Sequence, residues 1–399
     1  MASRVIGVGN IIGYVAGYMD LPKHFWFLGR TQFQILCVIA SVALSSTIAL
    51  SIGTIRERDA RLEDPPPKGK GGLISFFKQV FKSILHLPPQ TRKVCEVQFF
   101  AWIGFFPQLF YSSSYVGDIY VQPYLEKNPN MTPQEIDKLY EDATRVGTFA
   151  LLVYAITSLA TNVLLPFFIR PTYDVASSDT VSQKSYSTRT SRFLDSLVIP
   201  WLTLRRAWLL SHLIFATCMF STLVVRSIGA ATTLIGIVGI SWALTLWAPF
   251  AIISAEVSKR DALRRAKQPS RRLEDLDSEE IEGPVEDQAG VILGIHNMSI
   301  ATPQILATVG SSIIFKFLQK PRGTPGDHSI AIVLACGGIS TLVAAFLTSR
   351  IKDEVDIPEE LAYQAVEEGR GRAETERRRR SVSRERSLVR SESYGGLEY

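Results

Sequence analysis

The chain has 399 residues, 46% of them hydrophobic and 20% charged, with a positive mean hydropathy; it is too apolar for an ordinary soluble protein of one or two domains. A formal charge of +5 would suit nucleic-acid binding if the basic residues shared one folded face, but they lie in connecting segments and the C-terminal tail, which argues for a bilayer instead. Cys37, Cys95, Cys218 and Cys336 are far apart, form no CxxC pair and sit in or beside apolar runs; they read as buried small hydrophobes, with neither a disulfide nor a metal site expected.

A helix needs roughly 20 apolar residues to cross about 30 Å of hydrocarbon. Eight segments qualify or nearly so: 5–19, 33–55, 94–120, 146–169, 207–225, 229–255, 289–318 and 329–349. Runs this long without alternation are not barrel strands, so the fold expected is all-α, an integral membrane bundle of eight transmembrane helices. The first segment is short, interrupted by Asn10, and carries Gly9, Gly13 and Gly17 at four-residue spacing. That spacing clears one helix face for a close neighbour and calls for a partner helix. The run is not a dinucleotide fingerprint, since no strand precedes it and its spacing is one residue too long.

After the second segment, Pro65-Pro66-Pro67 and the Gly/Lys run behind it break the helix. Residues 73–87 then alternate as a basic amphipathic helix, suited to the inner leaflet or to packing on the protein's own inner face. The third segment holds Trp102, Gln108 and Asp118 with Pro107. An acidic connection at 121–143 follows, with the glycosylation sequon Asn130-Met131-Thr132. The connections 170–206 and 256–287 are polar and read as loops. The sixth segment contains Trp242, Trp247 and Pro249, and the seventh His296, Asn297 and Gln304 with Pro303. Residues 353–399 form a basic, disordered tail open to phosphorylation and suited to anionic lipid.

Most of the 43 Lys and Arg residues fall on one side if the chain starts in the cytosol. Both termini are therefore expected to be cytosolic, with Asn130 on the opposite side where glycans are added. No phosphate loop, HExxH, GxSxG or His/Cys metal spacing is found, so neither an enzyme nor a cofactor is expected. Polar groups inside spans are costly in lipid and usually line a cavity or pair internally. Amides, aromatic rings and prolines coincide in three spans, as a sugar site requires: hydroxyls need donors and acceptors, and pyranose faces stack on rings. Asn10, Trp102, Gln108, Asp118, Trp242, His296, Asn297 and Gln304 are the candidates for a transport pathway. Against that, Asp118 can sit solvated at the outer helix end, the tryptophans can be core, and His296 can satisfy a neighbouring helix.

Three motifs carry a resemblance: Gly7 to Tyr14 with Asp20-Leu21-Pro22, Ala101 to Pro107 followed by Tyr115 to Tyr120, and Gly294 to Gln304. In this order they resemble the sucrose and α-glucoside proton symporters of the glycoside–pentoside–hexuronide branch of the major facilitator superfamily, fungal members most. The resemblance implies twelve spans in two six-helix halves and places 5–19 at the fifth. The chain then reads as N-terminally truncated: 1–55 as the last two helices of the first half, 56–93 as the central cytosolic loop and 94–352 as the complete second half. It further implies sugar and protons as partners, proton symport by alternating access, and a fourth-span proton-exchanging aspartate outside this chain. Plant relatives carry additional carboxylates and an arginine near the outer end of the seventh helix, where Asp118 is the acid found here. The plasma membrane is the expected location, with an internal organelle as the alternative. The alternative function is a non-transporting membrane subunit that regulates or assembles with full-length transporters.

Overall fold

A computed structural model of the chain describes residues 2–55, 81–85, 87–170, 196–271 and 285–352. Those residues fold as α-helices joined by short turns, with one isolated bridge between Ile169 and Ile199. In chain order the long helices are α1 (Ala2–Tyr18), α2 (Gln32–Thr54), α3 (Pro89–Lys127), α4 (Pro133–Leu164), α5 (Leu204–Ser221), α6 (Ile228–Arg271), α7 (Val285–Leu318) and α8 (Ser329–Ser349). Each falls on one of the eight apolar segments. Five stretches, Gln32–Thr54, Pro133–Phe167, Ile228–Val257, Gly290–Leu318 and Ser329–Ser349, are long and apolar enough to cross a membrane. The others are shorter or more polar: α1 has 17 residues, α5 opens on Arg205 and Arg206, and α3 carries Gln98, Gln108 and Ser112 in its middle. The chain is an all-α membrane helix bundle.

Helix α3 lies at the centre of the bundle, packed against α4, α6, α7 and α8, while α4 packs on α6 and α5 on both α6 and α8. Such close crossings depend on glycine. Gly104 of α3 faces Gly337 of α8, and a Cβ on Gly104 would lie 2.5 Å from the Gly337 carbonyl oxygen. A Cβ on Gly239 of α6 would lie equally close to the Tyr154 carbonyl oxygen on α4. In lipid, where tails are as apolar as leucine, this backbone proximity and its dispersion contacts drive association in place of the hydrophobic effect. The core they enclose is aromatic, with Phe105, Phe215, Trp208 and Tyr154 all buried.

The first two helices differ from the rest. α1 packs on α4, where Gly7 meets Leu159 and Gly17 meets Thr148. Among the described residues Gly17 is the spaced glycine in contact, and nothing lies within 4 Å of a Cβ on Gly9 or Gly13. Gln32 at the start of α2 donates to the Ala16, Gly17 and Met19 carbonyls, the last at 2.8 Å, and accepts from the Leu21 N–H. One side chain thereby satisfies the otherwise orphaned C-terminal carbonyls of α1. A capping box between Thr31 and Gln34 starts α2. Beyond that α2 touches little: Ile35 is its one buried residue, so its apolar side chains face lipid or another helix.

Two sequence expectations are corrected. The polar segment after 255 was expected to be loop, yet α6 continues to Arg271, because Ala, Leu, Arg and Lys are strong helix formers whether or not the helix is still in lipid. Cys37 and Cys336 are exposed, whereas Cys95 and Cys218 are buried; all four are free thiols. Apolarity alone placed all four inside, but a membrane helix can point an apolar residue outward. The amphipathic segment 73–87 lies largely outside the described residues, as does the tail; residues 81–85 are helical.

Candidate functional site

About a third of the way along α3, Trp102 meets Trp242 of α6 edge to face, with 5.6 Å between ring centroids. Phe106 lies 5.0 Å from Trp102, and Phe105 lies 5.9 Å from Trp242. Tyr154 of α4 joins the group 6.4 Å from Trp242. Tyr154 also faces Gln108, one turn and a half beyond Trp102 on α3, and Tyr14 of α1. The cluster thus draws on four helices; Pro107 adjoins Phe106 in it, and Pro249 lies two turns along α6 from Trp242. Each proline leaves the carbonyl four residues earlier, Ile103 and Thr245, without its helical N–H.

Several polar atoms in this cluster are buried and unsatisfied. Gln108 Nε2 donates to Ser112 Oγ at 3.2 Å, while its Oε1 has no well-aligned donor among the described residues; the Tyr154 hydroxyl is the group beside the amide. Among the described residues the Trp102 indole N–H and Thr245 Oγ1 have no partner, nor does the Trp247 indole N–H further along α6. Leaving such groups buried and unpaired costs roughly 1–3 kcal/mol each. A constellation of unmet donors and acceptors among aromatic rings is what a hydroxylated ligand would complete.

A second polar pair lies between α3 and α7. Gln98 Nε2 sits 3.4 Å from His296 Nε2, both residues fully buried, and Phe250 of α6 meets the imidazole edge to face at 4.7 Å. The amide nitrogen donates, so His296 Nε2 accepts and the ring proton is on Nδ1, which has no partner. Thr91 Oγ1 and Gln98 Oε1 on the same face of α3 are also unsatisfied.

At the other end of α3, Asp118 is half-buried and faces Asp327, which precedes α8. The remaining predicted residues are not gathered in. Asn10 is half-buried on α1, while Asn297 and Gln304, seven residues apart, occupy an exposed face of α7. The eight candidates therefore divide into a tryptophan–glutamine cluster, a histidine pair, a carboxylate near the C-terminal end of α3, and three residues on half-buried or exposed helix faces.

No family model matches the chain. It is 32% identical over 391 residues to the general alpha-glucoside permease of Schizosaccharomyces pombe, covering 86% of this chain and 65% of the permease. It is 22% identical to a sucrose transport protein of Arabidopsis thaliana, over 89% of this chain and 62% of that protein. An MFS-type transporter of Talaromyces islandicus is 33% identical over 42% of this chain and 59% of its own length. The chain is a homologue of the sucrose and α-glucoside transporters. It spans just under two thirds of the length of the permease, and these relatives are permeases and transporters, not enzymes.

In this transporter homologue, several residues next to the candidates escaped the sequence reading. Gln98 is a polar residue within the third apolar segment and was visible as such. Tyr154 looked like one more aromatic in a span, and its hydroxyl matters because folding brings it to Gln108 of α3 and Tyr14 of α1. Asp327, Gln122 and Arg226 lay in or near connections, where charge is ordinary.

Proposed function

We propose that this chain forms the sugar-handling part of a proton symporter for sucrose or related α-glucosides, working by alternating access about a site near the bilayer midplane. The observation that carries the reading is the unpartnered Trp102 indole N–H and the buried Gln108 amide, set among Trp242, Tyr154 and Phe106 inside the bundle. Aromatic faces suit the C–H face of a pyranose, and the amide and indole suit its hydroxyls. The names of the relatives, an α-glucoside permease and sucrose transport proteins, support the substrate class.

In this reading Trp102, Gln108 and Trp242 contact sugar, Asn10 lines the pathway from α1, His296 sits at the inner part of the route, and Asp118 at its outer mouth. Asn297 and Gln304 line the pathway on the exposed face of α7. Both termini are cytosolic, the membrane is the plasma membrane, and Asn130 carries a glycan outside; the distribution of Lys and Arg supports the orientation. Among the described residues, Lys93 and Arg205 donate to the Arg350 and Ser349 carbonyls at the end of α8, a cationic inner rim in keeping with it.

Uptake of labelled sucrose and maltose, with and without a protonophore, in yeast lacking its own α-glucoside transporters tests the proposal. Protonophore-sensitive uptake above the vector control is expected. Protein that inserts in the plasma membrane yet gives no uptake of either sugar would refute it.

A further inference from the structure

The outer third of α3 borders two cavities that meet at Asp118. One, of about 330 Å³, lies between α3, the α5–α6 turn at Arg226 and the start of α8; the other, of about 550 Å³, lies between α3, α4 and the loop 319–328. Asp118, Gln122, Asp327 and Ile330 belong to both. The loop is pinned in place. Gly326 N–H donates to Gln122 Oε1 at 2.7 Å, and Gly326 and Gly323 adopt left-handed backbone angles of +77° and +86°. Arg322 pairs with Asp137 of α4 at 2.9 Å and lies over the Tyr140 ring at 4.6 Å.

The two carboxylates are not equivalent. Asp327 ties the loop to the start of α8, its Oδ2 accepting from the Lys320 N–H at 3.1 Å and its Oδ1 from the Ser329 N–H at 2.8 Å. Asp118 faces Asp327 but, among the described residues, makes no hydrogen bond and no ion pair within 4.0 Å. A half-buried carboxylate held beside a like charge without a donor is costly. It persists where something else supplies the donors.

We propose that the vestibule around Asp118 is a capture site for a glycoside, with sugar hydroxyls donating to Asp118 and to the remaining lone pairs of Asp327. Arg226 donates to sugar oxygens from the wall of the smaller cavity, and Tyr111 offers an aromatic ring in the larger one. The site rests on the sugar-transport reading and adds to it a second, outer position distinct from the Trp102–Trp242 cluster. A metal ion fits less well, because Arg226 places a fixed positive charge in the same wall and each space is of disaccharide rather than ionic size.

The test uses the full chain in lipid nanodiscs and a diazirine-bearing maltose, with labelled residues mapped by peptide mass spectrometry. Label on residues 111–126 and 319–331, competed by unlabelled maltose and reduced about tenfold or more by Asp118→Ala, is expected. Asp118→Asn, which keeps the shape, should weaken it less. Because Asp118 bonds to no other described residue and stands beside a like charge, both variants should melt at or above the parent's midpoint. Competed label confined to residues 98–108 and 242–250 would overturn the vestibule site and leave the sugar reading standing. Vestibule label unchanged by Asp118→Ala would overturn the role of Asp118, and no competed label anywhere would overturn both.

Discussion

The indole of Trp102 on α3 stands edge to face against that of Trp242 on α6, with 5.6 Å between the ring centroids. T-shaped pairs of this kind contribute about 0.5–1.5 kcal/mol beyond simple burial, and here the pair also locks the two proline-bearing helices side by side. Trp242→Ala should destabilise the protein by about 3–5 kcal/mol, as large aromatic truncations do, while Trp242→Phe keeps a ring and loses much less. The midpoint of thermal unfolding in detergent, read for both variants, checks the order. Equal midpoints would mean that the pair is not packed as described.

Gln98 and His296 make a separable prediction. Removing either partner leaves the other buried without its hydrogen bond, so Gln98→Leu and His296→Leu should each cost roughly 1–3 kcal/mol. The double variant removes both polar groups from the seam and should be at least as stable as either single one. A double-mutant cycle on thermal stability measures the coupling; additive losses would show that the two side chains do not interact.

Much of this architecture was legible from composition alone. Each of the eight apolar segments holds a helix because a bilayer leaves the backbone few other forms. Helix ends were less legible: α6 runs on to Arg271 since the signal used, apolarity, stops at the membrane surface and helix propensity does not. The candidate site was legible as a set of residue types, in that Trp102, Gln108 and Trp242 were named. Their meeting was not, because the two tryptophans are far apart in sequence and neither α3 nor α6 has a one-sided pattern to say which face turns inward. Asp118 shows the same limit. Its sequence neighbourhood gave the depth, while its approach to Asp327 depends on a loop fixed by Gln122 and two glycines.

Glycine substitutions distinguish packed from open helix faces. Gly239→Ala places a methyl group 2.5 Å from the Tyr154 carbonyl oxygen, a backbone atom that cannot swing aside. The expected cost is about 1–3 kcal/mol, together with a shift of Tyr154 away from Trp242. Gly9→Ala meets nothing within 4 Å and should leave stability unchanged or slightly raised. Thermal unfolding of both proteins checks the contrast, and a large loss from Gly9→Ala would place a second helix on that face.

The sequon offers a test of orientation. Asn130 is exposed in the turn before α4, and Thr132 caps that helix in a box with Glu135. Asn130→Gln should abolish an endoglycosidase-sensitive mobility shift without affecting stability. Thr132→Ala should abolish the shift and also cost about 1 kcal/mol through the lost cap, whereas Thr132→Ser preserves both. A parent protein carrying no glycan in a competent eukaryotic host would contradict an outward-facing Asn130.

The most direct test of the central claim is equilibrium binding of labelled maltose and sucrose to the purified full chain, comparing the parent with Gln108→Leu, which keeps the bulk of the side chain and removes the buried amide. Saturable binding of at least one sugar by the parent, weakened about tenfold or more by the substitution, is the predicted result. Binding that Gln108→Leu leaves untouched, or a folded parent that binds neither sugar, would contradict it.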